Sequence, residues 1–140
     1  MTPATQALAA RVLKLREAAG RAELAKAQHQ HASRAAHEAA LIDEIARERD
    51  AVGHALPLGQ ADALYTTWRD TAASRLTAAR SDAEAAGAAC DVLREALADT
   101  LRTCRGFETF LARHAAGRAR LAARRDPLLA PMSLPRNAAG

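Results

Sequence analysis

Proline placement constrains this chain more than any other feature. The five prolines stand at 3, 57, 127, 131 and 135. A proline inside a helix removes a backbone hydrogen bond and crowds the preceding turn, so the stretches between 3 and 57 and between 57 and 127 are where continuous helix can run. Their content favours it. Apolar residues make up 49% of the 140 but aromatics only 3%, and most of the apolar share is alanine, the strongest helix former. A compact ball of so few large side chains would bury little area per residue, whereas long helices joined along a narrow seam suit alanine well.

The first helix is predicted over about 3–55, with Thr2 as N-cap and Pro3 at the first helical position. Apolar positions recur every three or four residues at Leu8, Val12, Leu15, Ala19, Ala22, Ala25, His29, Ala32, Ala36 and Ala39, then change phase to Leu41, Ile45, Val52 and Leu56. The run HALPLGQAD ends it and forms a hinge over about 56–61, because Pro57 disfavours helix at Leu56 and Gly59 can turn. Asp62 is the better cap for a second helix over about 62–125.

That helix carries the clearest pattern. Heptad a positions hold Leu76, Ala83, Cys90, Leu97, Cys104 and Leu111, and d positions hold Ala72, Ala79, Ala86, Leu93, Thr100, Phe107 and Leu121. His114 at d and Arg118 at a weaken it near the end. A pattern kept for about seven heptads is that of a coiled coil. A short hinge makes the helices antiparallel neighbours. The predicted fold is thus all-α, a long two-helix antiparallel coiled-coil hairpin forming one domain over 1–126, with an irregular tail over 127–140 that holds three prolines.

Lengths of roughly 77 and 96 Å for the two helices leave the second overhanging the first by something near 20 Å. The overhang is rich in arginine. From Arg102 to Arg125 there are seven arginines against the single acid Glu108, whereas Glu38, Asp43, Glu44, Glu48 and Asp50 precede the hinge among only two arginines. The expected molecule is a rod with both termini and the excess positive charge at one end.

The sequence offers no chemistry of its own. His29 and His31 point about 200° apart on a helix and cannot share a metal ion. Asp50 and His54 can share a face but lack a third ligand, and read as a solvated pair. Glycine-rich phosphate loops, nucleophile elbows and paired-cysteine motifs are absent. The reading is a non-enzyme without cofactor, metal or small-molecule substrate. Cys90 and Cys104, fourteen residues apart on one helix, stand roughly 21 Å from each other and read as reduced, packed thiols. No window approaches the roughly 18 apolar residues of a membrane span, and the N-terminus lacks the pattern of a signal peptide. The chain reads as soluble and cytoplasmic. Leu64, Tyr65 and Trp68 cluster after the hinge, either packed against the end of the first helix or exposed as a partner anchor.

The layout resembles the FliJ/YscO family, the small coiled-coil stalk proteins of flagellar and virulence type III secretion systems. The likeness covers roughly residues 8–125. It rests on size, on a hinge a little before mid-chain, on GQADALYTTWRDTAASRL past that hinge, and on the arginine-rich RHAAGRARLAARRD. It implies a hairpin similar to the central stalk of rotary ATPases, seated in or against the hexameric secretion ATPase through Arg113, Arg118, Arg120, Arg124 and Arg125. It also implies contact with the export gate, and with some export chaperones, through the second helix beyond the hinge. That stretch maps onto Trp68, Leu76 and Ala79, and Ala72 departs from the bulky residue expected among them. The implied place is cytoplasmic, at the periphery of the inner-membrane secretion apparatus.

Two other readings stand beside it. One is a generic coiled-coil scaffold or self-associating structural protein. The other is a basic helical binder of nucleic acid or anionic surfaces, to which the arginines lend charge but the sequence lends neither interleaved aromatics nor a known binding module.

Overall fold

The computed structural model describes residues 1–55 and 61–129, with side chains described over 1–54 and 63–125. Two helices account for them: α1, Pro3–Ala55, and α2, Ala61–Leu129. The hinge residues 56–60 and the tail beyond 129 lie outside the described residues, as does the Asp62 side chain. The chain is an all-α hairpin of long helices packed against each other.

Local chemistry sets the start of α1. The Thr5 N–H donates to Thr2 Oγ1 at 3.2 Å, and the Gln6 N–H donates to the Thr2 carbonyl at 3.0 Å. Thr2 is therefore the N-cap, and Pro3 occupies the position where its missing N–H costs nothing. At the other end, α2 continues through Pro127 to Leu129, into the segment read as irregular tail. Proline's fixed φ is compatible with helix, and what it removes is one bond to the preceding turn.

Contacts divide the chain into two compact units: Met1–Leu15 with Asp99–Gly140, and Arg16–Ala98. In the second unit the helices run antiparallel, since each step forward along α1 meets a step back along α2. A Cβ built on Gly20 would lie 3.2 Å from Leu97, and one on Gly87 would lie 3.3 Å from His31. Arg80 pairs with Glu38 at 3.4 Å, and Trp68 bonds Glu48 at 3.1 Å. In the first unit Cys104 Sγ lies 3.9 Å from the Leu13 carbonyl oxygen.

On α2 the heptad expectation holds along most of its length. Every a and d position from Ala72 to Leu111 is buried or half-buried, and so is His114. Cys90 is the most enclosed, 1% exposed, and both cysteines are free thiols. The pattern stops at Arg118 and Leu121, both exposed.

On α1 the first part of the expected stripe is wrong. Leu8, Val12, Leu15, Ala19, Ala22, Ala25, His29, Ala32, Ala36 and Ala39 are all exposed, with Leu8 at 63% and Leu15 at 64%. Apart from Ala9, half-buried beside Ala10, the positions turned inward are Gln6, Ala10, Leu13, Glu17, Gly20, Leu24 and Ala27, then Glu38, Leu41, Ile45, Glu48 and Val52. They alternate steps of four and three with no change of phase once His31 and Arg34 are counted at the two intervening seam positions. Both of those side chains remain exposed. In a helix with alanine on every side, apolar periodicity does not single out one face. The partner helix chooses it, and polar seam residues are tolerated where their heads reach water.

Two consequences can be measured. His31 and Arg34 stand at seam spacing opposite a face of small residues that includes the buried Ala83 and Cys90. Leucine at both positions is expected to raise stability by roughly 1 kcal/mol each; an unchanged or lower thermal midpoint would mean that this part of the seam cannot accept the bulk. Gly106 has open space where a Cβ would stand. Gly106→Ala should therefore stabilise the helix by about 1 kcal/mol, read as a shift in the urea midpoint at unchanged slope.

Candidate protein-docking surface

The first unit concentrates positive charge. Residues 1–15 and 99–140 hold ten arginines and lysines against three acids, whereas 16–98 hold ten against thirteen. Of those three acids Asp99 is already engaged, by Arg102.

Within this unit α1 ends first. Leu13 stands beside Cys104, so Pro3, ten residues back, comes level with about residue 114, and α2 runs on for about 15 residues, some 22 Å. That length has no α1 beside it. The heptad continues through it as Arg118, Leu121 and Arg125, all exposed, and Arg113, Arg120 and Arg124 are exposed as well. Shallow grooves flank Leu121, one lined by His114, Gly117, Arg120 and Arg124, the other by Ala122 and Arg125, with Arg118 common to both. Among the described residues none of the five arginines expected to dock (Arg113, Arg118, Arg120, Arg124, Arg125) forms an ion pair. Their guanidinium forks are free to hold carboxylates bidentately. Phe107, Phe110 and His114 stack in a row just before this end, with ring centroids 6.2 and 6.0 Å apart.

Trp68, Leu76 and Ala79, expected to meet the export gate, sit differently. Ala79 is buried with Ala72, Leu41 and Ile45, and Trp68 and Leu76 pack half-buried against that cluster. Alanine at 72 is thus required by the approach of α1. Trp68 Nε1 donates to Glu48 Oε2 at 3.1 Å, while Arg75 reaches both Glu48 oxygens at 3.3 Å and Glu44 at 3.4 Å. What remains open beside Trp68 is Leu64 and Tyr65, the Tyr65 ring 5.7 Å from that of Trp68.

The indole bond, ahead of the pull of Arg75, holds the Glu48 carboxyl below its ordinary value of 4.5 against a smaller opposing effect of burial. Glu48 in turn holds the Arg75 guanidinium above its ordinary value. A carboxyl whose folded value is depressed stabilises the fold above the unfolded value and loses that contribution as pH falls through the folded one. The stability of the wild type is therefore expected to fall more steeply than that of Glu48→Gln as pH drops from 4.5, with Trp68 emission as the probe. Parallel curves would show that Glu48 does not bear on folding.

Among the described residues no group of three or more His, Cys, Asp or Glu could hold a metal ion, and no helix is long and apolar enough to cross a membrane. His54 Nδ1 lies 2.6 Å from the Asp50 backbone carbonyl oxygen, so that pair meets through the main chain. Sequence reasoning missed both the outward turn of Leu8, Val12 and Leu15 and the Glu48 network. The signal lay in the frame Leu41, Ile45, Glu48, Val52, which, carried backward in steps of three and four, arrives at Leu13, Ala10 and Gln6. The chain matches no family model, no curated protein and no solved structure.

Proposed function

We propose that this chain is a non-enzymatic stalk or adaptor of a type III secretion apparatus, flagellar or virulence, which docks on the hexameric export ATPase and couples it to the export gate. The observation that supports this most is the stretch of α2 past residue 114, a helix whose arginines are exposed and form no ion pair among the described residues. A helix of that kind, placed in a ring, touches the subunits unequally and shifts their conformational populations. Arg113, Arg118, Arg120, Arg124 and Arg125 are the docking residues in this reading. The gate contact in this reading is the stretch of α2 that holds Trp68, Leu76 and Ala79, with the exposed Leu64 and Tyr65 beside Trp68 as its open apolar surface, and export chaperones are further partners. The protein works in the cytoplasm beside the inner-membrane apparatus.

The deciding experiment adds the purified chain to its cognate ATPase and follows phosphate release and hexamer formation. Stimulation is expected from the wild type and is lost in a variant with Arg118, Arg120, Arg124 and Arg125 reversed to glutamate. Equal stimulation by both would end the docking assignment. The same exposed arginines favour one other reading, an anionic-polymer binder, in which binding to polyphosphate or duplex DNA would weaken steeply with added salt.

A further inference from the structure

Leu8, Val12 and Leu15 are large apolar side chains on the solvent side of α1, and the fold makes no use of them. Steps of four and three line them up over about two turns, roughly 10 Å, at the spacing of a coiled-coil seam. Each stands two residues beyond a position turned toward α2 (Gln6, Ala10, Leu13), and hence about 200° around the helix from it. Arg11, three residues from Leu8 and four from Leu15, forms one edge of this ribbon, with Lys14 behind it. Thr5 and Ala9 form the other edge, small enough for close approach. Residues 1–15 contain no acid.

We infer that this ribbon docks an amphipathic α-helix of another protein, one with large apolar residues at three- and four-residue steps and carboxylates along its flank. The spacing asks for a helix, because knobs at seam spacing fit the holes of a helix with the same repeat. The charge asks for an acidic one, since flanking residues set partner choice in such pairs. A second copy is the poorer occupant: it would bring Arg11 and Lys14 against their own kind, in a unit with ten bases and three acids. The inference stands apart from the secretion reading, because it needs neither the arginine end nor an ATPase.

The probe is a fluorescent peptide of about four heptads with isoleucine and leucine at a and d and glutamate at e and g, compared with a twin carrying lysine at e and g. Anisotropy with the full chain is expected to show binding of the acidic peptide and not of its twin. The exposed double variant Leu8→Ser/Leu15→Ser should weaken that binding at least tenfold while keeping the wild-type melting temperature. Arg118→Gln/Arg120→Gln/Arg124→Gln/Arg125→Gln should leave it nearly unchanged. Binding lost only in the arginine variant would mean adsorption to the basic end. Equal capture of the two peptides, or no capture, would overturn the inference. So would a wild-type dimer in sedimentation that Leu8→Ser/Leu15→Ser abolishes, since the ribbon would then be covered by a second copy.

Discussion

Truncating Leu41 and Ile45 to alanine together is expected to lower the melting temperature by on the order of 10 °C or more. These are the only large aliphatic side chains in the buried cluster they form with Ala72 and Ala79, and Trp68 and Leu76 pack on them. Truncation of a buried leucine or isoleucine costs about 2–5 kcal/mol, the lower figure applying where the site can collapse. Both sit on a two-helix seam with one layer of packing, so each should fall near 2 kcal/mol. Their effects will not simply add, because they are neighbours one helical turn apart. The readouts are far-UV ellipticity and the emission of Trp68, the sole tryptophan, which should shift red as its apolar support is lost. The converse substitution also destabilises: leucine at Ala79 must push α1 away and costs about 1–3 kcal/mol. A midpoint lowered by less than a few degrees in the double alanine variant would show that the helices are held together elsewhere.

Reversing Arg118, Arg120, Arg124 and Arg125 to glutamate is expected to abolish ATPase stimulation while leaving the melting temperature close to that of the wild type. The two halves of that expectation have one cause. The arginines lie exposed beyond the point where α1 ends, so replacing them removes no packing from the hairpin. Truncating one partner of a desolvated charge pair costs about 2–5 kcal/mol, and reversal adds repulsion, so four such changes exceed the affinity of an ordinary micromolar contact. Exposed surface pairs are worth far less, roughly 0–1 kcal/mol. The size of the loss therefore also reports whether the arginines are enclosed by the partner. A variant that unfolds along with losing stimulation would place them in the fold rather than at a docking surface.

Much of α2 is legible in the sequence. Its heptad combines large residues at some positions with alanine, cysteine and threonine at the others, and only one face satisfies that mixture. The register from Ala72 to His114 followed directly. The exposed arginine end was legible too, because a longer second helix must outrun the first. In α1 apolar spacing favours the face with more leucine and alanine, which would turn Leu8, Val12 and Leu15 inward. Those side chains lie outside, while Gln6, Glu17 and Glu48 face the seam.

By itself, then, the amino-acid order determined that the chain is helical, where α1 begins, which face of α2 is inner and where the positive charge gathers, but not that α2 would run on through Pro127. These follow from proline, alanine content, heptad spacing and charge order, each a property of residues close together along the chain. Tertiary structure alone decided which face of α1 meets α2, that Trp68 is tied to Glu48 from beneath, and that a ribbon of leucine and valine is left uncovered. Those outcomes depend on the partner helix twenty to ninety residues away, whose small side chains admit glutamate and histidine stems at the seam and so leave nothing on α1 alone to mark its inner face.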